Sequence, residues 1–262
     1  MQKSSFSIRR VGNRHATAVE ACSDQSFARH THDEYGIGVM LAGAQRSWSG
    51  RGIVEAGVGD LITVNPGEVH DGAPIGKSRS WAMLYLPTEE TTVIVTDICD
   101  GNPAVLEFSD PVMRNRRAAV CFKAAYAALI TGEDEDSYER LIVLVSGLLR
   151  NVSKRPVGTQ KMIQAKERID DDPTGCHPLD ELACEAGASR FQTLRSFAGL
   201  TGLTPHAYIV QRRLDIGRLM IRDRKSLADA AAAAGFADQS HFHRSFTRRY
   251  GLTPGAYAAA MR

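Results

Sequence analysis

The last hundred residues repeat themselves, and that duplication limits the folds open to the chain more than any other feature. LDELACEAGASRFQTLRSFAGLTGLTPHAY, from Leu179, is followed by LADAAAAAGFADQSHFHRSFTRRYGLTPGAY, from Leu227. Leu179, Ala183 and Gly187 recur 48 residues later as Leu227, Ala231 and Gly235. Arg195, Ser196, Phe197, Leu203, Thr204, Pro205 and Tyr208 recur at 49 as Arg244, Ser245, Phe246, Leu252, Thr253, Pro254 and Tyr257, so one residue is inserted after the second glycine. Two copies are too few for a solenoid; this is a duplicated small module. Each copy reads as a short helix, a turn opened by glycine, and a second helix. Gly187 and Gly235 stand where the first helix must end on a left-handed residue. The turn of three or four residues is the length a helix-turn-helix needs. The second helices, about Arg190 to Ala198 and Gln239 to Arg249, bury Phe197 and Phe246 and leave polar side chains near their N-terminal ends, where a recognition helix reaches base edges.

The segment between the modules carries a distance. A helix beginning at Thr204-Pro205 and running to about Arg222 spans roughly 28 Å at 1.5 Å per residue. With side chains added, that approaches the ~34 Å between successive major grooves on one face of B-DNA. Arg212, Arg213, Arg218, Arg222, Arg224, Lys225, Arg248 and Arg249 lie beside the two readers and can contact phosphates. Charge agrees: from Ser153 onward 17 basic residues face 11 acidic ones, against 15 and 19 before it. Only the C-terminal half is suited to a polyanion.

On these residues the C-terminal region, about 160 to 262, resembles the DNA-binding domain of the AraC/XylS family of bacterial transcription regulators. GFADQSHFHRSFTRRYGLTPGAY, Gly235 to Tyr257, is close to that family's signature. The resemblance implies seven helices and base contacts from the exposed faces of both second helices. In the first module it carries base contact to Arg190, Phe191, Gln192 and Arg195, and in the second to Gln239, Ser240, His241, His243 and Arg244. The first module departs from the pattern in its shorter turn and in Thr193, which stands where an apolar residue is usual. His241 and His243 do not make a metal pair, because residues two apart on a helix do not face each other.

Residues 6 to about 108 read differently, as short strands and turns: Ile37 to Leu41, a hairpin from Trp48 to Ile53, Leu61 to Val64, Trp81 to Leu86 and Val93 to Ile98. Closely spaced glycines among them argue for a sandwich or barrel. Here lies a second cluster, RHTHDEY (Arg29 to Tyr35) and GDLITVNPGEVHD (Gly59 to Asp71). In a strand His30, His32 and Glu34 alternate to one face, and the turn at Pro66-Gly67 can bring His70 opposite them. Three imidazoles and a carboxylate suit zinc, nickel or iron; the same groups can equally bond one another or a polar ligand. The region resembles a cupin barrel, the usual effector-sensing domain of AraC-type regulators, although the glutamate comes earlier than in metal-binding cupins. A small-molecule pocket is expected at His30, His32, Glu34, Tyr35, His70, Trp81 and Tyr85. The alternative is a divalent metal at His30, His32, Glu34 and His70; no cofactor is otherwise required.

Between these regions Arg114 to Ile130 and Ser137 to Arg150 have helical composition. Leu141, Leu144, Val145, Leu148 and Leu149 form an apolar stripe that serves either the barrel's own core or a second chain. Residues 151 to 160 have the composition of a linker. The fold class is therefore α+β: a cupin-like β-barrel over 1–110, a helical dimerisation segment over 111–151, a linker over 152–160 and an all-α DNA-binding domain of two helix-turn-helix modules over 161–262. The five cysteines, Cys22, Cys99, Cys121, Cys176 and Cys184, never fall at C-x-x-C spacing, which argues against a disulfide framework or structural zinc. Met1 to Arg10 lacks a signal-peptide core, and no apolar run nears the roughly 18 residues of a membrane helix. The expectation is a cytoplasmic, effector-modulated DNA-binding regulator and not an enzyme. Its partners are double-stranded DNA, a small-molecule effector, a second copy in a homodimer and, if it activates, RNA polymerase, with no membrane. Its rivals are a metal-dependent cupin enzyme fused to a DNA-binding module, and an effector-independent regulator whose barrel only dimerises.

Overall fold

A computed structural model describes residues 5–11, 16–98, 106–132, 136–151 and 160–261. The chain divides into two compact units, Met1–Lys154 and Arg155–Ala260. Residues 152–159 of the expected linker, and Cys99, lie outside the described residues.

Among its described residues the first unit is built on one antiparallel sheet of eight strands. Its path runs β1 (Ser5–Val11), β2 (Ala16–Ser23), β7 (His70–Pro87), β4 (Glu34–Ser49), β6 (Leu61–Val64), β9 (Val112–Met113). Off that path β3 (Phe27–His30) pairs with β7, and β5 (Gly52–Ala56) with β4. The long strands β4 and β7 pair twice. Tyr35 to Met40 oppose Leu86 to Trp81; bulges follow between Met40 and Ala44; then Ala44 to Ser49 oppose Ile75 to His70. Bulges bend a strand pair, so β4 and β7 each serve both walls of the barrel. The hairpin expected at Trp48 to Ile53 is there, with Ser49 opposite Gly52.

Strand alternation sorts the side chains into two cores. Tyr35, Ile37 and Val39 of β4, with Ala82, Leu84 and Leu86 of β7, pack outward against two helices, α2 (Arg116–Thr131) and α3 (Ser137–Leu148). Met40 of β4, with Trp81 and Met83 of β7, faces inward together with Ile62 and Val64. Gly38 belongs to this inward row because Met83 occupies its place: a Cβ there would stand 2.1 Å from the Met83 Sδ.

Two sequence readings are corrected here. Val93 to Ile98 is not a strand but the second half of a helix, α1 (Thr88–Ile98), whose start the acidic residues Glu89 and Glu90 favour. The second apolar helix stops at Leu148; Leu149–Asn151 forms β10, paired with β8 (Leu106–Phe108). The Leu141 stripe packs on its own barrel: Leu141, Val145 and Leu149 are buried in the outer core, and Leu144 and Leu148 pack against it.

Among its described residues the second unit has seven helices: α4 (Gln160–Asp171), α5 (Leu179–Ala186), α6 (Arg190–Thr201), α7 (Pro205–Arg222), α8 (Leu227–Ala233), α9 (Gln239–Tyr250) and α10 (Pro254–Ala260). The seven match the number that the family resemblance implies. In α4 Met162, Ala165 and Ile169 are buried at helical spacing. Leu214 and Ile221 of α7 join Ala230, Ala231, Phe242 and Phe246 in one core. Gly217 lets α7 and α9 close up, since a Cβ at that position would lie 2.4 Å from the Phe242 ring.

Candidate functional site

The two helix-turn-helix modules are built alike. Gly187 (φ 61°) and Gly235 (φ 70°) end α5 and α8 in the left-handed region. The next residues close back on the helix, Ala188 N donating to Ala183 O at 3.0 Å and Phe236 N to Ala231 O at 3.0 Å. Ser189 then caps α6: its hydroxyl accepts from Gln192 N while the Gln192 side chain accepts from Ser189 N. Asp238 caps α9 by accepting from His241 N. Phe197 in one module, and Phe242 and Phe246 in the other, hold the second helices against the core.

That packing aims the opposite faces at solvent. Arg190, Phe191, Gln192 and Arg195 on α6 are exposed, as are Gln239, Ser240, His241, His243 and Arg244 on α9. Phe191 is 84% exposed, an aromatic ring that no core demands. The Gln192 carbonyl is committed to the cap, Arg190 Nε lies 3.1 Å from the exposed Asp180, and the His241 ring meets the edge of Phe236. Thr193, the residue out of pattern, is fully buried and donates its hydroxyl to Ser189 O, which replaces what an apolar side chain would do there.

Three of the expected phosphate contacts are used inside the unit. Arg213 donates to the carbonyls of Pro173, Thr174 and Gly175 ahead of α5, and to that of Gly235 in the second turn, at 2.9–3.2 Å. Arg212 pairs with Asp170 and Asp215. Arg249 donates to the buried Gln211, which bonds Asp215 and Tyr250. Arg224, Lys225 and Arg248 stay exposed.

In the barrel, His30 at the end of β3 pairs in register with His70 at the start of β7. His32 O accepts from Gly67 N at 2.7 Å, so the Pro66-Gly67 turn is tied to the histidine segment. Nitrogen atoms of His30, His32 and His70 all come within 4.8 Å of one another. His30 Nδ1 lies 2.8 Å from Ala28 O and His70 Nδ1 3.1 Å from Glu68 O. A carbonyl only accepts, so both Nδ1 atoms carry a proton. Burial holds His70 below the usual imidazole range, hence neutral near pH 7. Tyr85 lies beside this group, its ring 4.7 Å from that of His32.

The other expected pocket residues separate. Trp81 lines the interior in a cluster with Phe6 and Phe27. Glu34 opens β4 opposite Pro87 and is outside the histidine group; β3 ends at His30, so the strand alternation that joined it to the histidines does not reach it. Tyr35 is on the outer face, its hydroxyl donating to Leu106 O at 2.8 Å. One interior residue was missed. Arg79 is 1% exposed and donates to Gln45 Oε1, Gln25 O and Gly72 O. Its place in the row 79, 81, 83, 85 was readable from the alternation that puts Trp81 inside.

The C-terminal unit matches the family model for a helix-turn-helix domain over residues 182–260, and the N-terminal unit that for an AraC-like ligand binding domain over 15–145. The HTH-type transcriptional regulator MtrA of Neisseria gonorrhoeae is 32% identical over 116 residues, 44% of this chain and 37% of that one, so the match spans little more than a third of its length. The uncharacterised HTH-type regulator YbfI of Bacillus subtilis is 25% identical over 225 residues, covering 83% and 82% of the two chains. Among solved structures ToxT of Vibrio cholerae has the same fold, with a TM-score of 0.58 at 12% identity over 95% of this chain and 98% of that one. Sheet-rich sensor module first and paired helix-turn-helix modules second, the chain belongs to the AraC-like family of regulators.

Proposed function

We propose that the chain is a transcription regulator that reads double-stranded DNA with α6 and α9 and is modulated by a small molecule in its barrel. The observation that carries this is the pair of capped second helices with nine base-reading candidates exposed. Each N-terminal half would enter a major groove, with Arg224, Lys225 and Arg248 near phosphates. The effector acts by population shift, favouring one arrangement of barrel, helices and DNA-binding domain over another. Exposed Val120 on α2 and Val143 on α3 support a homodimer contact there. RNA polymerase is the further partner if the regulator activates. Among the described residues no helix is long and apolar enough to cross a membrane.

The test is a footprint of purified protein on the DNA upstream of its own gene and neighbours. The expected result is protection of two major-groove segments about one helical turn apart per subunit. Clean absence of protection at low salt, with and without candidate effectors, overturns the reading at these sites.

One observation favours a second reading, in which the barrel holds a metal. Three converging imidazoles, two with Nδ1 pinned to carbonyls, fit the donor set of a divalent transition metal. His30, His32 and His70 would hold it, without Glu34. A bound metal would supply Lewis-acid chemistry, the basis of a cupin enzyme fused to a DNA reader; the relatives, named as regulators, favour the first reading. Metal analysis of protein purified without added metal discriminates: stoichiometric iron or nickel raises the enzyme reading, and none removes it. ToxT has been solved with an unsaturated fatty acid bound, which supports an organic effector for a barrel of this fold.

A further inference from the structure

The small sheet of β8 and β10 is hung on the barrel by side chains. Leu106 and Phe108, alternate residues of β8, turn main-chain groups toward the barrel, as does Asp110 just beyond. Leu106 O accepts from Tyr35 Oη at 2.8 Å, and Asp110 O from Thr63 Oγ1 at 2.6 Å. Phe108 is held twice by Asn65: its N–H donates to Oδ1 at 2.7 Å and its carbonyl accepts from Nδ2 at 3.2 Å. The other edge of β8 pairs with β10, Phe108 opposite Leu149 and Leu106 opposite Asn151. β10 is the last element of its unit before α4, the first helix of the DNA-binding unit.

These anchors differ in what they stand on. Tyr35 belongs to β4 and Thr63 to β6, two strands that the sheet pairs to each other and to β7 or β9. Asn65 instead opens the turn from β6 to β7. That turn is bonded to His32 through Gly67 and ends on His70. Asn65 is buried, and Glu68 of the same turn sets its amide: Oε2 accepts from Nδ2 at 2.9 Å, which leaves Oδ1 for the Phe108 N–H. One buried amide thus joins the histidine turn to a strand 43 residues away in the chain. Release of β10 from β8 would free three residues on the way to the DNA readers, about 10 Å of extended chain. Coupling between distant sites requires such an element, with two arrangements that both sites can bias. We propose that Asn65 is the positioning residue of the effector response. A change in the turn that carries His70 reaches β8 through the Asn65 amide, and β10 then holds or releases the chain leading to the helix-turn-helix modules. This rests on the reading of the barrel as an effector site.

The experiment is hydrogen exchange of the full chain, read at Leu149–Asn151, with a strained turn standing in for an occupant. Gly67 has a φ of 72°, and a Cβ there would meet nothing within 4 Å, so Gly67→Ala strains the turn without filling space. The expected result is exchange at β10 about threefold or more faster. Asn65→Ala should raise the basal exchange and abolish any further response to Gly67→Ala. Tyr35→Phe removes another anchor of β8 and should leave that response in place, which separates coupling from mere support. Thermal melts report whether each variant is folded; Asn65→Asp, which keeps an acceptor for the Phe108 N–H, replaces Asn65→Ala if the latter is not. Gel shifts on the footprinted operator should show affinity changed about fivefold or more by Gly67→Ala and by Asn65→Ala, with the double variant no different from Asn65→Ala. Exchange at β10 that Gly67→Ala leaves unchanged, or changes equally with and without Asn65, overturns the assignment and leaves the effector reading standing. If exchange responds as expected but no variant changes operator affinity, the barrel does not signal to the DNA readers, and the effector reading falls together with the role of Asn65.

Discussion

Arg244 and Gln239 stand on the first two turns of α9, exposed, with buried Phe242 and Phe246 behind them. Side chains so placed reach base edges, and Arg and Gln have the forked donors and acceptors that distinguish guanine and adenine. Replacing either by Ala should weaken specific binding by about 1–3 kcal/mol and relax sequence preference at one position. Lys225→Ala should instead weaken all sequences alike and lower the salt slope by about one. Competition binding against single-position operator variants at two salt concentrations checks both, and unchanged discrimination in both reader variants counts against the assignments. Phe191 belongs to the same scale: an exposed ring at a helix tip suits a thymine methyl. These positions were legible because one helix, once phased by its buried phenylalanines, fixes the direction of every other side chain. The barrel residues were less so. His30 and His70 meet through the Pro66-Gly67 turn as read, but Glu34 was phased by counting across residues 31–33, which are not strand. Alternation has no meaning across such a break.

Helices α7 and α9 are joined by more than apolar packing. Tyr250 donates its hydroxyl to Asp215 at 3.1 Å, and burial with that carboxylate close by raises its pKa well above the ordinary phenol range. Gln211 is fully buried and linked to Asp215, Tyr250 and Arg249. A network of this kind is costly to open at any member, because the groups left behind are buried. Gly217→Ala probes the same contact sterically. Its methyl would meet the Phe242 ring, so the expected loss is about 1–3 kcal/mol of unfolding free energy, measured by urea denaturation of the C-terminal unit within the full chain. A loss within error would mean that α9 can shift without cost. The sequence reveals the helix ends, through Ser189, Gly187 and Gly235, but not this network. Arg212, Arg213 and Arg249 read as solvent-facing charges until their partners, 38 to 42 residues away in the chain for most of them, are brought beside them by the fold.

At the scale of the DNA-binding unit, α7 sets a ruler and Arg213 locks it. Eighteen residues give about 27 Å of helix, and Arg213 ties that helix to the loop before α5 and to the turn after α8. Both modules are therefore bonded to the same side chain, and the distance between readers is built into one body and not left to a flexible joint. A rigid pair can match only one separation of recognised segments. Inserting about five base pairs between them moves the second segment to the far side of the duplex, and inserting a full turn of about ten restores the face but doubles the distance. Both insertions should reduce affinity to that of one module. A hinged pair would instead recover much of it with the full turn. Arg213→Met removes the clamp while keeping an unbranched apolar stem, and should narrow the penalty for the full-turn insertion. Gel-shift titrations of the three operators with both proteins test this, and equal tolerance of all three operators by the unaltered protein would mean that the modules move independently.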